Sequence, residues 1–509
     1  IRIDGLNIGR DGLPPTRNPK WPLVAIRGNN SQHNTIRNCI IQQEGDPFGR
    51  FLAGYRELGV LIEGAAHNVV EHNLITGVWQ GVKLHDIARY NIIEGNRITA
   101  TSGDSIVLDS SRGVIQGTLI QGNTIEGSVM SDGVQMHADY DLPVEEQTTD
   151  LSNRGIIIRN NVIRHHGENG IDLKAASNVV IEGNIMYGTV GSNNGPLDGW
   201  NRNANGAIGR GAHKTSADVI IRNNLIYDSA AGVKVDRGYK IYHNTIVANN
   251  RDFTGSDSDW SAKGRPTFWG ILQRELGTGG IAIQNNIIAE HKGVEVSLQL
   301  THVQSETNHI DYNLYHNSEG AFFAHFQDES DWDKLTFPQW QHRLRDYASI
   351  TGQDAASFVA DPMFVAAPEK PTGDLDRSDF YLRSGSPAID AGGALTWAVE
   401  SGRGTRIRVE DARYFYDGFG VTEGDLVKVG ENLPVRILAV DYGTNTLTLD
   451  RSISWQQGAW VTLPYRGKAP DLGAYECVGQ CTAGSAPAAG VPAGVRADDG
   501  ESSLLGTDS

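Results

Sequence analysis

The chain has 509 residues, with 44 Lys and Arg against 61 Asp and Glu, for a formal net charge of −17. That balance argues against a nucleic-acid or anionic-membrane partner, and no apolar run reaches the about 18 residues needed to span a bilayer. Three Cys rule out a disulfide-built scaffold or a multi-Cys zinc module, and 39% hydrophobic residues argue against global disorder.

Ile1 opens directly in IRIDGLNI, a strand pattern with no signal peptide or capping helix before it, so the chain reads as mature or truncated. Residues 1–317 hold 32 of the 34 Asn. Within them a motif recurs: IRNCI at Asn38, EHNLI at Asn73, EGNRI at Asn96, QGNTI at Asn123 and RNNVI at Asn161. It continues as EGNIM at Asn184, RNNLI at Asn224, YHNTI at Asn244, QNNII at Asn286 and DYNLY at Asn313. The spacings are 35, 23, 27, 38, 23, 40, 20, 42 and 27 residues, so a unit of about 20–27 residues repeats, with loops inserted in the longer copies.

Between the motifs lie short, β-branched, alternating segments such as NVVIEGN and DVIIRNN, which favour strands over helices. Three short strands per unit describe an all-β solenoid, the parallel β-helix. One Asn per coil has a physical reason. It tolerates left-handed φ at a tight turn, and its amide can pair with the equivalent Asn about 4.8 Å along the stack. The stretch 1–316 resembles the right-handed parallel β-helix proteins of polysaccharide lyases, some glycoside hydrolases and phage tail proteins.

A second alignable segment follows each Asn motif: GVLIE, GVKLH, SIVLD, GVQMH, GIDLK, GAIGR, GVKVD and GVEVS. Alternation sends its x positions outward. Stacked, they predict one column of Leu61, Lys83, Val107, Gln135, Asp172, Ile208, Lys234 and Glu295. A second runs Glu63, His85, Asp109, His137, Lys174, Arg210, Asp236 and Ser297. A solvated sheet face explains scattered charge, but from Lys83 to Arg237 the His, Lys, Arg and Asp are concentrated, which predicts a functional groove. Loops near 44–58, 139–152, 188–205 and 250–268 would flank it, with Trp200 available to stack on a sugar ring.

Residues 318–360 break the repeat, with a short helix expected near 337–348. DPMFV, DFYLRSGSPAIDAG and DLGAYE predict closing coils from residue 361, with a final closing segment at 467–481. Between them, 400–466 reads as a small inserted β unit. Residues 482–509 read as a disordered tail. The helix domain is therefore expected to span 1–399. Cys477 and Cys481 are placed to bridge, and Cys39 reads as a buried apolar residue.

A basic lane on an acidic protein fits a polyanionic sugar. Cleaving a uronate by β-elimination needs a cation at the carboxylate, a base for the C5 proton, and departure of the C4 oxygen. Candidate catalytic residues are Lys174, Arg210, Lys214, Lys234 and His137, with Lys83, His85, His213, Arg237 and Trp200 as substrate contacts. SDGVQMH, ENGIDLK and NGAIGRG are similar, in content and order, to the calcium and base segments of family 9 pectate lyases. That resemblance implies Ca²⁺ at Asp132, Glu168 and Asp172, with Asn169 nearby, and Asp139 is a further candidate ligand. Glu168 and Asn169 replace an acidic pair of that family, and Ile208 stands where its lysine would be. Arg210, Lys214 or Lys234 would then have to serve as base. The alternatives are a glycoside hydrolase using paired Asp carboxylates and a non-catalytic carbohydrate-binding solenoid. The expected protein is a secreted monomer acting on an acidic polysaccharide.

Overall fold

The computed structural model describes residues 1–9, 22–43, 57–128, 131–138, 152–189, 206–209, 216–249, 269–273, 279–291, 294–298, 308–318, 324–327, 332–348, 353–368 and 371–477. Each coil gives one short strand to each of three long sheets. Sheet 1 stacks eleven strands from Arg2–Asp4 to His309–Asp311. Sheet 2 stacks twelve, from Asn7–Gly9 to Phe358–Val359, and sheet 3 twelve, from Pro22–Arg27 to Trp332–Leu335. Strand pairing along all three is parallel until Ala324–Gln327 turns back against Trp332–Leu335. The chain is a right-handed parallel β-helix, the hand that parallel crossovers adopt. Inward Ile and Val residues such as Ile93, Ile98, Ile106, Ile158 and Ile181 fill one continuous core.

The Asn ladder is present. Asn73 Nδ2 donates to Asn96 Oδ1 at 2.9 Å, and the chain of amides continues through Asn123, Asn161, Asn184, Asn224, Asn244, Asn286 and Asn313 at 2.9–3.0 Å. The other Nδ2 hydrogen goes back to a main-chain carbonyl, as from Asn96 to Val70 O at 2.8 Å. Each Oδ1 also takes a backbone N–H from the preceding coil, so the amides are buried yet paired.

The first rung differs from expectation. Asn38 sits at φ 52° and donates outward to Asp4 Oδ1. Cys39 occupies the ladder position, 1% exposed, and its N–H donates to Asn73 Oδ1. A second ladder, Asn34–Asn68–Asn91, runs beside sheet 1. A third, at the turn from sheet 2 to sheet 3, uses mixed residues. Ser128 N–H donates to His166 Nδ1, Ser229 N–H to Asn249 Oδ1, and Asn249 N–H to His291 Nδ1.

The helix Phe337–Ala348 forms as expected, and Trp340 joins the end of the core, donating Nε1–H to Asp354 at 2.6 Å. Beyond Phe358–Val359 the chain adds no described strand to the three sheets. In place of the expected closing coils, residues 361–392 and 471–475 form a strap. Phe380, Leu382, Ala388 and Leu472 pack on Tyr187, Leu225, Tyr227 and Leu314 of sheet 2. Apolar side chains on the outer face of sheet 2 give the strap something to cover, which a closing coil would not.

The inserted β unit is a six-stranded antiparallel sheet starting at Thr396–Trp397. It buries Tyr414, Phe415 and Tyr416 against Leu119, Ile157, Val180 and Ile220 on the outer face of sheet 1. Arg222, 3% exposed, bonds Glu182 and Tyr242 on its own sheet and Asp425 across that interface. Cys477 is disulfide-bonded, while its expected partner Cys481 lies outside the described residues. The expected tail at 482–509 lies outside them as well.

Three ladder or interface imidazoles are held neutral. Burial pushes His166 down to about 3, and His243 and His291 down to about 4. A histidine whose folded value is depressed stabilises the fold fully above its unfolded value near 6.5. That contribution falls as pH drops toward the folded value, at about 1.4 kcal/mol per pH unit for each imidazole. His291→Asn copies the Asn249 rung one coil earlier. It should flatten the dependence of unfolding free energy on pH between 6.5 and 4.5 by about one imidazole's share. Urea titrations across that range check this, and an unchanged slope would refute it.

Candidate active site on the outer face of sheet 3

Strand register places the outward columns. Leu61, Lys83 and Val107 align, then Gln135 and Asp172. Glu63, His85, Asp109 and His137 align beside them. Continuing that register sets Lys174 next to His137. The next coil differs from expectation by one residue. Asp172 pairs with Gly209, while Ile208 pairs with Ile171 and lies in the core. Aligning GAIGR by its first Gly reversed the inward and outward faces of that strand.

Lys83 Nζ lies 2.6 Å from Asp109 Oδ2, and both side chains are under 10% exposed. Burial opposes ionisation of Asp109, but the Lys83 ammonium and its hydrogen bond hold the carboxyl far below the usual range. His85 is enclosed by carboxylates, with Nδ1 at 3.3 Å from both Glu63 and Asp86, and Nε2 at 3.6 Å from Asp109. These residues were expected to bind substrate; the structure commits Lys83 to an internal ion pair.

One coil further, Asp132, Glu168 and Asp172 converge, with one ligand oxygen from each lying within 4.8 Å of the others. Asp132 is 0% and Asp172 1% exposed. Lys174 forms an ion pair with Asp172. Asp172 Oδ1 has no hydrogen-bond partner among the described residues. Asp132 Oδ1 accepts from Asn169 N (2.9 Å) and Nδ2 (2.8 Å), and Asp132 Oδ2 accepts from Gln135 Nε2 (2.9 Å).

Burial, and then the charges of Glu168, Asp172 and Asp104, raise Asp132 well above a normal carboxyl. Burial and Asp172 raise Glu168 to about 8, so Glu168 keeps its proton at neutral pH. Burial lowers His137, against the pull of Asp109, so it is neutral there. Three crowded carboxylates with an orphaned buried oxygen suit a hard, oxygen-seeking divalent cation.

Two other expected residues, Lys234 and Arg237, lie away from this cluster. Lys234 is buried two coils on and pairs with Leu272. Arg237 is exposed and bridges Ala217 at the turn toward sheet 1. Trp200, Arg210, His213, Lys214 and Asp139 lie outside the described residues. The role of Asp104 escaped sequence reasoning: its Oδ1 accepts Asp132 N–H at 3.1 Å, in a run signalled by GDS, SDG and ENG before successive sheet 3 strands.

A family model described as the right-handed β-helix region matches residues 21–148. Among solved structures, pectate lyase Pel9A is 11% identical, covers 93% of this chain and 87% of its own, and has a TM-score of 0.42. The Yersinia enterocolitica family 28 exopolygalacturonase is 12% identical over 60% of this chain and 61% of its own (TM-score 0.37). The A-module of the Azotobacter vinelandii mannuronan C-5 epimerase AlgE4 is 14% identical over 51% of this chain and 70% of its own (TM-score 0.33). No curated protein matches the chain.

A buried charge stripped of its partner is costly. Lys83→Met should destabilise the fold by about 3–5 kcal/mol, whereas Lys83→Met with Asp109→Leu should recover most of that loss. Chemical denaturation of the three proteins checks this. Equal losses in single and double variants would show that the pair is not the cause.

Proposed function

We propose that the chain is a carbohydrate-active enzyme that cleaves a uronate-containing polysaccharide by β-elimination on the outer face of sheet 3. The observation supporting it is the convergence of Asp132, Glu168 and Asp172 next to Lys174 and His137. Asp132, Glu168 and Asp172 would hold Ca²⁺, whose charge, when bound, would offset that of a sugar carboxylate and acidify the neighbouring C–H. His137, kept neutral by burial, offers the lone pair that proton abstraction requires. Lys174 is the ammonium beside it, suited to steady the sugar carboxylate or protonate the departing oxygen. The disulfide at Cys477 supports an oxidising, extracellular setting. No helix among the described residues is long and apolar enough to cross a membrane.

The same carboxylates carry a second reading. Glu168, protonated at neutrality, sits beside Asp172, which is the acid-and-carboxylate arrangement of a glycoside hydrolase.

Pectate, alginate, glucuronan and glycosaminoglycans, each with and without calcium, separate the two. β-Elimination raises ultraviolet absorbance through the new C=C bond, while hydrolysis yields reducing ends alone. His137→Ala and Lys174→Ala should each slow elimination about 100- to 10,000-fold with the fold intact. Near-wild-type rates in both variants would sink the site assignment.

Proton linkage gives an independent check. A cation needs Glu168 ionised, so at pH 7 calcium binding should release a proton. Affinity should rise with pH through the neutral range, as Glu168 and Asp132 lose their protons more readily. Calorimetry in buffers of different ionisation heat reads the proton directly, and buffer-independent heats would contradict this linkage.

A further inference from the structure

The carboxylate cluster stands on a side-chain ladder of its own. Asp104 Oδ1 accepts Asp132 N–H at 3.1 Å, Asp132 Oδ1 accepts both N–H groups of Asn169, and Asn169 Oδ1 accepts Gly206 N–H at 3.2 Å. The double donation from one Asn, by backbone N and Nδ2 onto a single Oδ1, is the geometry of the main Asn ladder. Its polarity is reversed. In the main ladder each Oδ1 receives from the coil before it; here it receives from the coil after.

Asn169 is 1% exposed, and both polar atoms of its amide are engaged with protein. The remaining side is tight: a Cβ placed on Gly209, the residue opposite Asp172, would lie 2.0 Å from Asn169 Oδ1. The Gly209 backbone therefore packs directly against the Asn169 amide.

We propose that Asn169 is a positioning residue and not a cation ligand. It clamps Asp132 Oδ1, Gln135 holds Asp132 Oδ2 at 2.9 Å, and the cation site is left with three carboxylates from Asp132, Glu168 and Asp172. The assignment rests on the cation reading above. It adds that the strength of binding depends on a residue that touches no cation, as partners that orient ligands commonly do.

Calorimetric titration of calcium chloride into the full-length chain tests it, with melting temperature recorded for each variant. Asn169→Ala should weaken calcium binding about 10- to 100-fold. Asn224→Ala removes the matching Nδ2 donation from the main ladder, away from the cluster, and like Asn169→Ala leaves the backbone N–H in place. It should lower the melting temperature comparably and leave calcium affinity unchanged. Gly209→Ala, which forces the Asn169 amide aside, should weaken calcium in the same direction and serves if Asn169→Ala does not fold. Wild-type calcium affinity in folded Asn169→Ala or Gly209→Ala overturns the proposal, as does an equal loss in Asn224→Ala. A wild-type chain that binds no calcium overturns the cation reading itself, and the clamp with it.

Discussion

One buried amide per coil sets the terms for this molecule. An Asn side chain sealed from water must pair both its hydrogens and its oxygen, and here each finds those partners in the adjoining coils. That requirement fixes one rung per coil, at the spacing of hydrogen-bonded strands. It leaves loop length nearly free, because lengthening a loop costs only logarithmically. Consecutive rungs are therefore separated by as few as 20 residues (Asn224 to Asn244) and as many as 42 (Asn244 to Asn286) with the same 3.0 Å contact. Insertions can accumulate between rungs while the columns of outward side chains stay aligned.

The three outer faces then divide by chemistry. Sheet 1 presents Leu119, Ile157, Val180 and Ile220, and the inserted β unit covers them. Sheet 2 presents Tyr187, Leu225 and Tyr227, and the strap covers those. Sheet 3 presents Lys83, Asp109, Asp132, Asp172 and Lys174, all with little exposure. Burying charge is costly unless it is paired, protonated or bound to a cation. Lys83–Asp109 is resolved by pairing and Glu168 by protonation. A face that tolerates this expense is a candidate for chemistry in a way that the two apolar faces are not.

Much of the fold was legible because a period-two strand pattern and a recurring Asn are both local signals. Two departures were of register, by one residue each. IRNCI contains an Asn, but the left-handed turn takes it and Cys39 becomes the rung. GAIGR begins with a Gly like its neighbours, but Ile208 turns inward and Gly209 faces Asp172. In both places a residue type was matched where the physics matches a direction. The strap was misread for a different reason. Its apolar residues pack on a surface made by several coils, some of them more than 150 residues away, such as Phe380 on Tyr227, and no local pattern encodes that pairing. For the site, the sequence supplied Asp132, Glu168, Asp172 and Lys174 but not their ionisation. The neutrality of Glu168 and His137 arises from burial and from each other's neighbours, which exist only once the coils are stacked.

Ladder and site are versions of one device. An Asp in place of a rung Asn keeps the acceptor, and in this ladder of reversed polarity Asp104 and Asp132 receive the N–H of the following coil. It removes the Nδ2 donor and adds a charge in a place water cannot reach. A single such exchange can be met by a donor from the next rung, which is what Asn169 provides to Asp132. Adding Glu168 and Asp172 crowds three carboxyl groups together, and Asp172 Oδ1 has no hydrogen-bond partner among the described residues. That crowding can be relieved by protons or by a cation, and the choice between them changes with pH. A solenoid held together by neutral amides thus gains a site wherever its rungs turn acidic, and the stability of those coils becomes tied to what the site holds.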